Sequence, residues 1–548
     1  MATITINKKQ FEKDIGKFDE KIQERIAMFG TPIEHLAEEE IQLEIFPDRP
    51  DMLSYQGWKK SFLAFLGKKT GLKKYKINKP EKDYKIIIDS SVKNIRPYTV
   101  CAIVKGLAFD DEKIKEIVEI QEKLHVTLGR KRKKLAMGIY PLEKIKLPIK
   151  FEAREPDKIK FIPLEMEREL SGLQILQRHP TGREYAPLLA GKTKFPIFID
   201  SNKNILSMPP IINSQMTGKI TEDTKDIFIE CSGFDLEMLK KCLNMVVTAL
   251  ADMGGQIYQM TLVYGKKIIT PDFKIEKMKI SLENTNKLLG LNLNEKQLKK
   301  LLEKMGYNYS KGFIEIPPWR IDILHEVDLI EDVAIAYGYE NFVPEIPKIS
   351  TIGEEDLKEV IKRKIGEVLI GVNLLECSSY HLTNKKNQFT NMGIPKKLEK
   401  DSIEVEKSKT DYTILRKDLT HYLLKILSEN VDSEYPQKIF EIGKIFSIKE
   451  EKISEMENLA VAITPGNFTE IRQILEYLSK MVNAEIKIEE SEESPAHFIE
   501  GRVAELKIAD KKIGSLGEIH PRILKNWKMK MPVALFEINL EEIFKRLE

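Results

Sequence analysis

The chain is organised around residues 316–339, which read IPPWRIDILHEVDLIEDVAIAYGY. The pair Pro317-Pro318 predicts an extended approach, because proline fixes its own φ and restricts the residue before it. From Glu326 onward, apolar residues recur at three- and four-residue steps, which predicts a short helix that ends at Gly338. The predicted buried stripe of this helix consists of Val327, Ile330, Val333, Ala334 and Tyr337.

The opposite side of the same helix is acidic. Asp328, Glu331 and Asp332 fall within one helical turn, and Asp322 stands at the end of the extended approach. Carboxylates this close raise one another's pKa unless a cation joins them, and hard oxygen ligands suit Mg²⁺. The residues alone leave two interpretations open, a solvated helix face or a magnesium site.

The strings PWRIDI, EVDLIEDVA and YGY, taken together, closely resemble the end of the B5 domain in the β subunits of phenylalanyl-tRNA synthetases. The resemblance implies that Mg²⁺ is held by Asp322, Asp328, Glu331 and Asp332 at the contact with an α subunit. It further implies an α2β2 heterotetramer that attaches phenylalanine to its tRNA with ATP, with the synthetic site on the α subunit.

Length and composition predict a large multidomain α+β protein, because 548 residues with 42% hydrophobic content exceed one core and suggest roughly three to five domains. No apolar run of about 18 residues appears, and the alternating start ATITIN predicts a strand, so we expect a cytoplasmic protein without a membrane span.

The four cysteines lack a Cys-x-x-Cys pair, which argues against zinc and disulfide frameworks. A net charge of +3 means that any RNA contact must be local.

Residues 1–85 are expected to form an N-terminal region of strand, turn and helix. The segment 41–46 alternates as a strand, PDRPD follows at 47–51, and a helix starts near Ser54. A rigid loop held by an arginine–carboxylate pair explains PDRPD. The segment also resembles a signature of the B1 region in the same family. Lysines crowd residues 68–83, which predicts a linker there.

Residues 88–265 are predicted to form an α+β domain, with strands at 85–89, 99–104 and 228–232 and helices at 114–125 and 235–253. The basic run RKRKK at 130–134 is interpreted either as a solvated loop or as an RNA backbone contact. His179 has no nucleophile at a recognisable spacing, which favours a capping or core role.

The strings HPTGREY at 179–185 and MPPIINS at 208–214 resemble the B3/B4 domain of the family, which hydrolyses tyrosine wrongly attached to the phenylalanine tRNA. The resemblance implies an editing pocket. Its expected residues are Gln121, Arg132, Asn213, Ser214, Glu230 and Ser232.

Residues 270–346 are expected to form the B5 domain, a small winged-helix-like unit. Asn294 and Gln297 predict a capping box, and a hairpin is predicted to turn at 310–312. The helix that begins at this capping box carries lysines without neighbouring side chains that could recognise nucleic-acid bases. We therefore interpret the lysines as solvated.

Residues 352–548 resemble the antiparallel-sheet core of class II synthetases. Where an active core would offer an Arg-x-Glu pair, this chain reads FEIG at 440–443, and no glycine-rich motif ending in arginine follows. Without those arginines ATP would lack its phosphate clamp, so we expect a structural core that is inactive in synthesis.

Two functions of other classes remain as alternatives. One is a nucleic-acid-binding regulator centred on the winged-helix-like unit, and the other is a stand-alone metal-dependent hydrolase that uses the acidic cluster. Co-purification with a second synthetase subunit separates all three possibilities.

Overall fold

The computed structural model describes residues 2–349, 351–450, 452–491 and 494–547. The chain divides into two compact units, residues 1–346 and residues 347–548. In the described part of the chain, no helix combines the length and the apolar character needed to cross a membrane.

The first unit begins with a three-stranded antiparallel sheet flanked by helices. Its strands, in the order β1-β3-β2, are β1 (Ala2–Asn7), β2 (Ile33–Leu36) and β3 (Glu40–Ile45). The helices are α1 (Lys8–Asp14), α2 (Glu20–Met28) and α3 (Tyr55–Phe65). Helix α3 begins near Ser54, as the sequence predicts. Ser54 caps it by accepting a hydrogen bond from the Gly57 N–H. The predicted strands at the start and at 41–46 are confirmed, although Met1 itself lies outside the described residues.

Residues 77–270 build the central sheet of the first unit. The strands are β4 (Ile77–Asn78), β5 (Lys85–Ile88), β6 (Tyr98–Lys105), β7 (Leu135–Pro141), β8 (Ile149–Arg154), β9 (Lys160–Phe161), β10 (Leu170–Ser171), β11 (Phe195–Ile199), β12 (Ile205–Met208), β13 (Ile212–Asn213), β14 (Ile227–Gly233), β15 (Gln256–Val263) and β16 (Lys267–Thr270). The main order is β13-β12-β11-β8-β5-β15-β6-β14-β7, with β4 and β16 also paired to β15, while β9 and β10 pair with each other.

Four helices accompany this sheet: α4 (Asp111–Val126), α5 (Gly172–Arg178), α6 (Pro180–Tyr185) and α7 (Leu236–Asp252). The long apolar helix α7 packs against β6 and β14, and most of its residues are buried. The strands and helices predicted for this region are therefore confirmed. His179 joins α5 to α6 and is buried, with its Nε2 3.0 Å from the Leu164 carbonyl oxygen, which confirms a core role.

The end of the first unit combines helices with a small sheet. Its strands, in the order β17-β19-β18, are β17 (Glu276–Lys279), β18 (Asn308–Ser310) and β19 (Phe313–Ile316). Its helices are α8 (Leu282–Leu289), α9 (Glu295–Lys304) and α10 (Glu326–Tyr337). The capping box of Asn294 and Gln297 and the hairpin turn are confirmed. Lys311 and Gly312 both have positive φ at that turn.

The predicted buried stripe of α10 is partly wrong. Val327 is 49% exposed, whereas Leu329, which the stripe omitted, is completely buried. Because α10 packs against both α8 and α9, its buried face is wider than the single stripe predicted from the periodicity.

The connection predicted as a linker at 68–83 is tied to the rest of the first unit. The Leu72 N–H donates to Asn308 Oδ1 across 236 positions of sequence, and the Gly71 N–H donates to the Glu303 carbonyl oxygen. A further ion pair joins Arg25 to Glu340, 315 positions apart. Segments from both ends of this unit therefore pack together.

The second unit contains a seven-stranded sheet with helices on it. Its helices are α11 (Leu357–Gly371), α12 (Thr420–Glu429), α13 (Phe468–Met481), α14 (Pro521–Asn526) and α15 (Glu541–Leu547). Its strands are β20 (Leu375–Glu376), β21 (Leu382–Thr383), β22 (Ile414–Leu415), β23 (Gln437–Lys449), β24 (Lys452–Thr464), β25 (Lys487–Glu490), β26 (Phe498–Ile508), β27 (Lys511–Ile519) and β28 (Ala534–Asn539). The order is β20-β23-β24-β28-β27-β26-β25, and β21 pairs with β22.

Neighbouring strands of the large sheet run antiparallel, apart from the short parallel pair β20 and β23. Alternate residues of β24 enter two different cores, Leu459 and Val461 on one face and Ala460 and Ala462 on the other. Residues 438–446 belong to the single long strand β23.

Candidate functional site

A pocket of about 110 Å³ opens between α4 and the central sheet of the first unit. Gln121, Arg132, Asn213 and Glu230 line it, so the structure brings together four of the six residues expected there. His125, Ser207 and residues 209–212 complete the wall. A cavity of about 150 Å³ can hold a benzene molecule, so this pocket is on the scale of one aromatic ring.

Glu230 lies on β14 and is 1% exposed. Its Oε1 is 3.3 Å from the Tyr140 hydroxyl, whereas its Oε2 has no hydrogen-bond partner among the described residues. Burial raises the pKa of this carboxyl to about 8, against the lowering effect of the Arg96 charge. Glu230 is therefore protonated at neutral pH, and its Oε2 is available to accept a hydrogen bond from a ligand.

Tyr140 on β7 connects several groups of the pocket. Its hydroxyl lies 2.8 Å from Ser207 Oγ and 3.3 Å from both Asn213 Oδ1 and Glu230 Oε1. A phenol has one proton to donate, so a protonated Glu230 can donate to this oxygen in turn. Gly138 is required beside them, because a Cβ there would lie 2.1 Å from the Tyr140 hydroxyl and 2.7 Å from Glu230 Oε1.

Arg132 belongs to the basic run but turns inward. Its Nη1 donates to the Ile211 carbonyl oxygen at 2.8 Å, and its Nη2 donates to Glu122 Oε2 at 3.1 Å. The guanidinium lies 4.4 Å from the centre of the Tyr185 ring, and its Nε has no partner among the described residues. The other four charged residues of the run are exposed, which both a solvated loop and an RNA contact require, whereas Arg132 is partly buried.

Two of the expected pocket residues lie outside its lining. Ser214 Oγ accepts a hydrogen bond from the Met216 N–H, and Ser232 Oγ accepts one from Arg96 Nε at 3.0 Å. Both serines are buried and support the backbone around the pocket.

Sequence reasoning missed three groups of the site: His125, Tyr140 and Ser207. His125 Nε2 accepts from the Met137 N–H at 2.8 Å, and burial lowers the pKa of this histidine, so the ring is neutral. Tyr140 stands two residues from Gly138, which faces Glu230 in the pairing of β7 with β14. Tyr140 comes close to Glu230 only because of the register between β7 and β14, and the spacing of residues along the chain does not predict that register.

The acidic cluster is built around Arg320, which is buried. Its Nε donates to Asp322 Oδ1 at 2.8 Å, and its Nη2 donates to Asp332 Oδ2 at 2.9 Å. The Tyr307 hydroxyl also donates to Asp332. Asp332 is 5% exposed, so the interpretation of these acids as one solvated helix face is wrong for this residue.

Asp328 and Glu331 have different surroundings. Asp328 Oδ2 accepts hydrogen bonds from the Leu324 and His325 N–H groups, both at 2.7 Å, and so caps α10. Glu331 is exposed, and its pKa is raised by partial burial and by the negative charges of Asp332, Asp48, Asp328 and Asp322.

The four acids therefore converge on Glu331, but they fit a divalent cation only in part, because Arg320 already neutralises two of them. Among the described residues, no group of three or more His, Cys, Asp or Glu side chains is arranged as a metal site.

In the second unit the segment 440–443 also has a buried charge pair. Glu441 and Arg416 are 2% and 1% exposed, and Arg416 Nη1 donates to Glu441 Oε1 at 2.6 Å. Ser379 Oγ donates to the same carboxylate. Sequence analysis missed Arg416, which reaches the strand from the end of β22. Its charge is satisfied within the protein, so it is not presented to a ligand.

Three family profiles match the chain. The B3/4 domain matches residues 90–245, the tRNA synthetase B5 domain matches residues 278–339, and the phenylalanyl tRNA synthetase beta chain CLM domain matches residues 343–540. Together they span most of the sequence.

Relatives agree with these profiles. A phenylalanine–tRNA ligase beta subunit of Thermococcus sibiricus is 40% identical over 91% of this chain and 90% of its own length. One of Archaeoglobus fulgidus is 36% identical over 99% of each chain. The crystal structure of an N-terminal fragment of the Pyrococcus horikoshii phenylalanyl-tRNA synthetase beta subunit covers 61% of this chain and 99% of the fragment, with 38% identity and a TM-score of 0.59. At this identity over nearly its whole length, the chain belongs to the phenylalanine–tRNA ligase β subunit family.

Proposed function

We propose that this chain acts in the cytoplasm as the β subunit of an α2β2 phenylalanine–tRNA ligase and that its pocket removes tyrosine wrongly attached to the phenylalanine tRNA. The α subunits would use ATP to activate phenylalanine, and this chain would supply assembly, tRNA contacts and hydrolytic editing. One observation carries the editing proposal: Glu230 Oε2 and Arg132 Nε, two buried polar atoms without partners among the described residues, belong to residues that line a pocket of ring size. Family membership leaves the nucleic-acid-binding regulator and the stand-alone metal-dependent hydrolase without support.

The chemistry of editing suits these two atoms. A tyrosine hydroxyl in the pocket would pair with Glu230 Oε2, whereas a phenylalanine ring would leave that oxygen unpaired. An unpaired buried polar group costs about 1 to 3 kcal/mol, which favours tyrosine. A pocket made for phenylalanine rejects an added hydroxyl only weakly, so a second site that checks for it serves accuracy.

Hydrolysis of the ester requires few catalytic groups from the protein. Water adds to the ester carbonyl carbon, the bond to the ribose oxygen breaks, and free tyrosine and deacylated tRNA leave. Arg132 Nε–H is suited to hold the ester or the RNA end, since a guanidinium binds oxygen acceptors of both kinds. Positioning one water against a held ester is a proximity effect that needs no metal.

The assembled enzyme is expected to hydrolyse preformed Tyr-tRNA at least about fivefold faster than Phe-tRNA, since the unpaired carboxyl oxygen costs at least about 1 kcal/mol. Release of labelled amino acid from each tRNA measures this ratio, with enzyme-free tRNA as the control. Equal rates for the two esters would contradict the editing proposal.

The second unit is proposed to be a class II synthetase-like core that acts as a structural partner. The chain without an α subunit is therefore expected to show no phenylalanine-dependent pyrophosphate exchange, because Arg416 is neutralised by Glu441 and cannot clamp a phosphate. Exchange that appears only when the α subunit is added would agree. Robust exchange by this chain alone would contradict the structural role.

The acidic cluster is proposed to hold Mg²⁺ at the contact with the α subunit, through Asp322, Asp328, Glu331 and Asp332. A cation there would relieve the repulsion that raises the pKa of Glu331. Glu331→Gln is the sharper variant for a test, since Asp328 also accepts two backbone hydrogen bonds at the start of α10, and changing its charge would affect the helix as well as the cation.

Glu331→Gln is expected to raise the Mg²⁺ concentration needed for half-maximal assembly with the α subunit, measured by light scattering over a Mg²⁺ titration. Glu340→Gln, which removes a nearby exposed carboxylate paired with Arg25, is the matched control. If both variants assemble as the unmodified protein does, the cluster is not a metal site.

The domain boundaries are likewise proposed: an N-terminal B1-like region at 1–85, a B3/B4 domain at 88–265, a winged-helix-like B5 domain at 270–346 and the class II-like core at 352–548. The small sheet β17-β19-β18 with α8 and α9 supports the third of these.

A further inference from the structure

A second cavity, of about 350 Å³, lies within the first unit between α3, the PDRPD loop and the Pro317–Arg320 segment. It is several times larger than the editing pocket. One wall is apolar and consists of Leu63, Ala64, Met305 and Trp319. The opposite wall carries charged groups of both signs. Neither the synthetic reaction nor the proposed editing uses this cavity.

Most charges around the cavity are already paired. Arg49 forms two hydrogen bonds of 2.9 Å with Asp51, and Lys59 donates to Asp14 at 3.0 Å. Arg320 is held by the carboxylates described above. The Asp252 carboxylate accepts Lys73 at 2.6 Å and the Tyr75 hydroxyl at 2.9 Å.

Lys60 is held less tightly. Its Nζ forms an ion pair with Asp252 at 3.7 Å, beyond hydrogen-bond distance, and among the described residues it donates one hydrogen bond, to the Tyr75 hydroxyl at 3.2 Å. The ammonium stands 4.2 Å from the centre of the Trp319 ring, and 13% of the side chain is exposed. Burial lowers the pKa of this lysine to about 8. An ammonium has three donors, so Lys60 retains capacity for an anion in the cavity.

One turn away on the same face of α3, Gln56 offers the opposite group. Its side chain is 8% exposed, and its Oε1 has no hydrogen-bond partner among the described residues. Gln56 lines both this cavity and a neighbouring one, and its Nε2 donates to Glu116 Oε2 at 3.4 Å. Its Oε1 is therefore the atom of the amide that stays available to a ligand. Residues four apart on a helix are neighbours, so an underused donor and an unused acceptor stand side by side.

We propose that this cavity binds a free α-amino acid with an apolar side chain. The carboxylate would pair with Lys60, the ammonium with Gln56 Oε1 and the nearby Asp51 carboxylate, and the side chain would lie against Met305 and Trp319. A zwitterion supplies both missing partners at once, whereas a simple anion leaves Gln56 Oε1 unpaired beside the apolar wall.

The test is calorimetric titration of the assembled enzyme with L-leucine, which is not the amino acid used for synthesis. Two analogues each lack one charge: 4-methylpentanoate has no ammonium, and 3-methylbutylamine has no carboxylate. Leucine is expected to bind at least about tenfold more tightly than either, since each analogue leaves one buried group unpaired. Inorganic phosphate tests for a site that takes any anion.

Two variants and one control locate the site. Lys60→Met and Gln56→Leu are each expected to weaken leucine binding at least about tenfold, with the aminoacylation rate unchanged. Lys311→Met, at the exposed hairpin turn, is expected to bind as the unmodified protein does. Met is close to Lys in length, and the Asp252 carboxylate keeps its hydrogen bonds with Lys73 and the Tyr75 hydroxyl when Lys60 is replaced.

Hydrogen exchange of residues 55–76 in the unmodified enzyme gives a second measurement, which does not depend on how the variants fold. Leucine is expected to slow exchange in that segment and not at the hairpin turn. The proposal is overturned if leucine gives neither heat nor protection, if Lys60→Met binds it unchanged, or if phosphate or 4-methylpentanoate binds equally well.

Discussion

Replacing Glu230 by alanine is expected to lower kcat/KM for removal of tyrosine from tRNA by about 10- to 100-fold, which corresponds to one lost hydrogen bond to a buried group. Removal of phenylalanine should not slow down, because its ring makes no use of the carboxyl oxygen and the variant no longer leaves that oxygen unpaired. The ratio of the two rates therefore falls, and this ratio distinguishes lost recognition from general damage. Deacylation of both preformed aminoacyl-tRNAs by the assembled variant measures it.

Glu155→Ala is the matched control, since it removes an exposed carboxylate of the same domain whose partner is Lys158. Its deacylation rates should equal those of the unmodified enzyme. If the unmodified enzyme prefers Tyr-tRNA and Glu230→Ala keeps the full preference, the recognition site lies elsewhere in the same domain.

Arg320→Met is expected to destabilise the first unit by about 3 to 5 kcal/mol. The change leaves Asp322 and Asp332 without their buried counter-charge, and breaking a buried ion pair from one side costs about this much. The deficit should shrink as the pH falls, because protonation neutralises the two stranded carboxylates. Urea unfolding followed by tryptophan fluorescence reports on this unit when Trp527 of the second unit is replaced by Phe, since Trp58 and Trp319 are buried in the first.

Lys9→Met supplies the comparison, because its ion pair with Glu39 is exposed on both sides. Such a surface pair contributes about 0 to 1 kcal/mol. Equal unfolding midpoints for the two variants would contradict the conclusion that Arg320 stabilises this unit by neutralising Asp322 and Asp332. A loss of stability in Arg320→Met that does not depend on pH would contradict it as well.

Local patterns predicted much of the fold. The capping box of α9 was found because Asn294 and Gln297, whose side chains accept each other's backbone N–H groups, stand three positions apart. The buried face of α10 was found only in part. Periodicity tells which residues share a face, but Leu329 is buried because α8 and α9 both cover the helix, and that packing has no local signature.

The candidate site shows the same limit. Arg132, Asn213 and Glu230 were expected through the family resemblance and do line the pocket. Tyr140 and Ser207 arrive there through the pairing of distant strands, and Arg416 reaches Glu441 in a similar way. The residue types carry the chemistry, but the register of the sheet decides which of them meet.

The ion pair between Arg25 and Glu340 has a consequence for synthesis of the protein in the cell. The two residues are 315 positions apart, so the first cannot meet the second until nearly the whole first unit has left the ribosome. At about 5 to 20 residues per second, this wait is roughly 15 to 60 seconds. The pair therefore forms only after the N-terminal sheet and its helices have been synthesised, so it can join the two ends of the first unit but cannot guide the folding of the early helices.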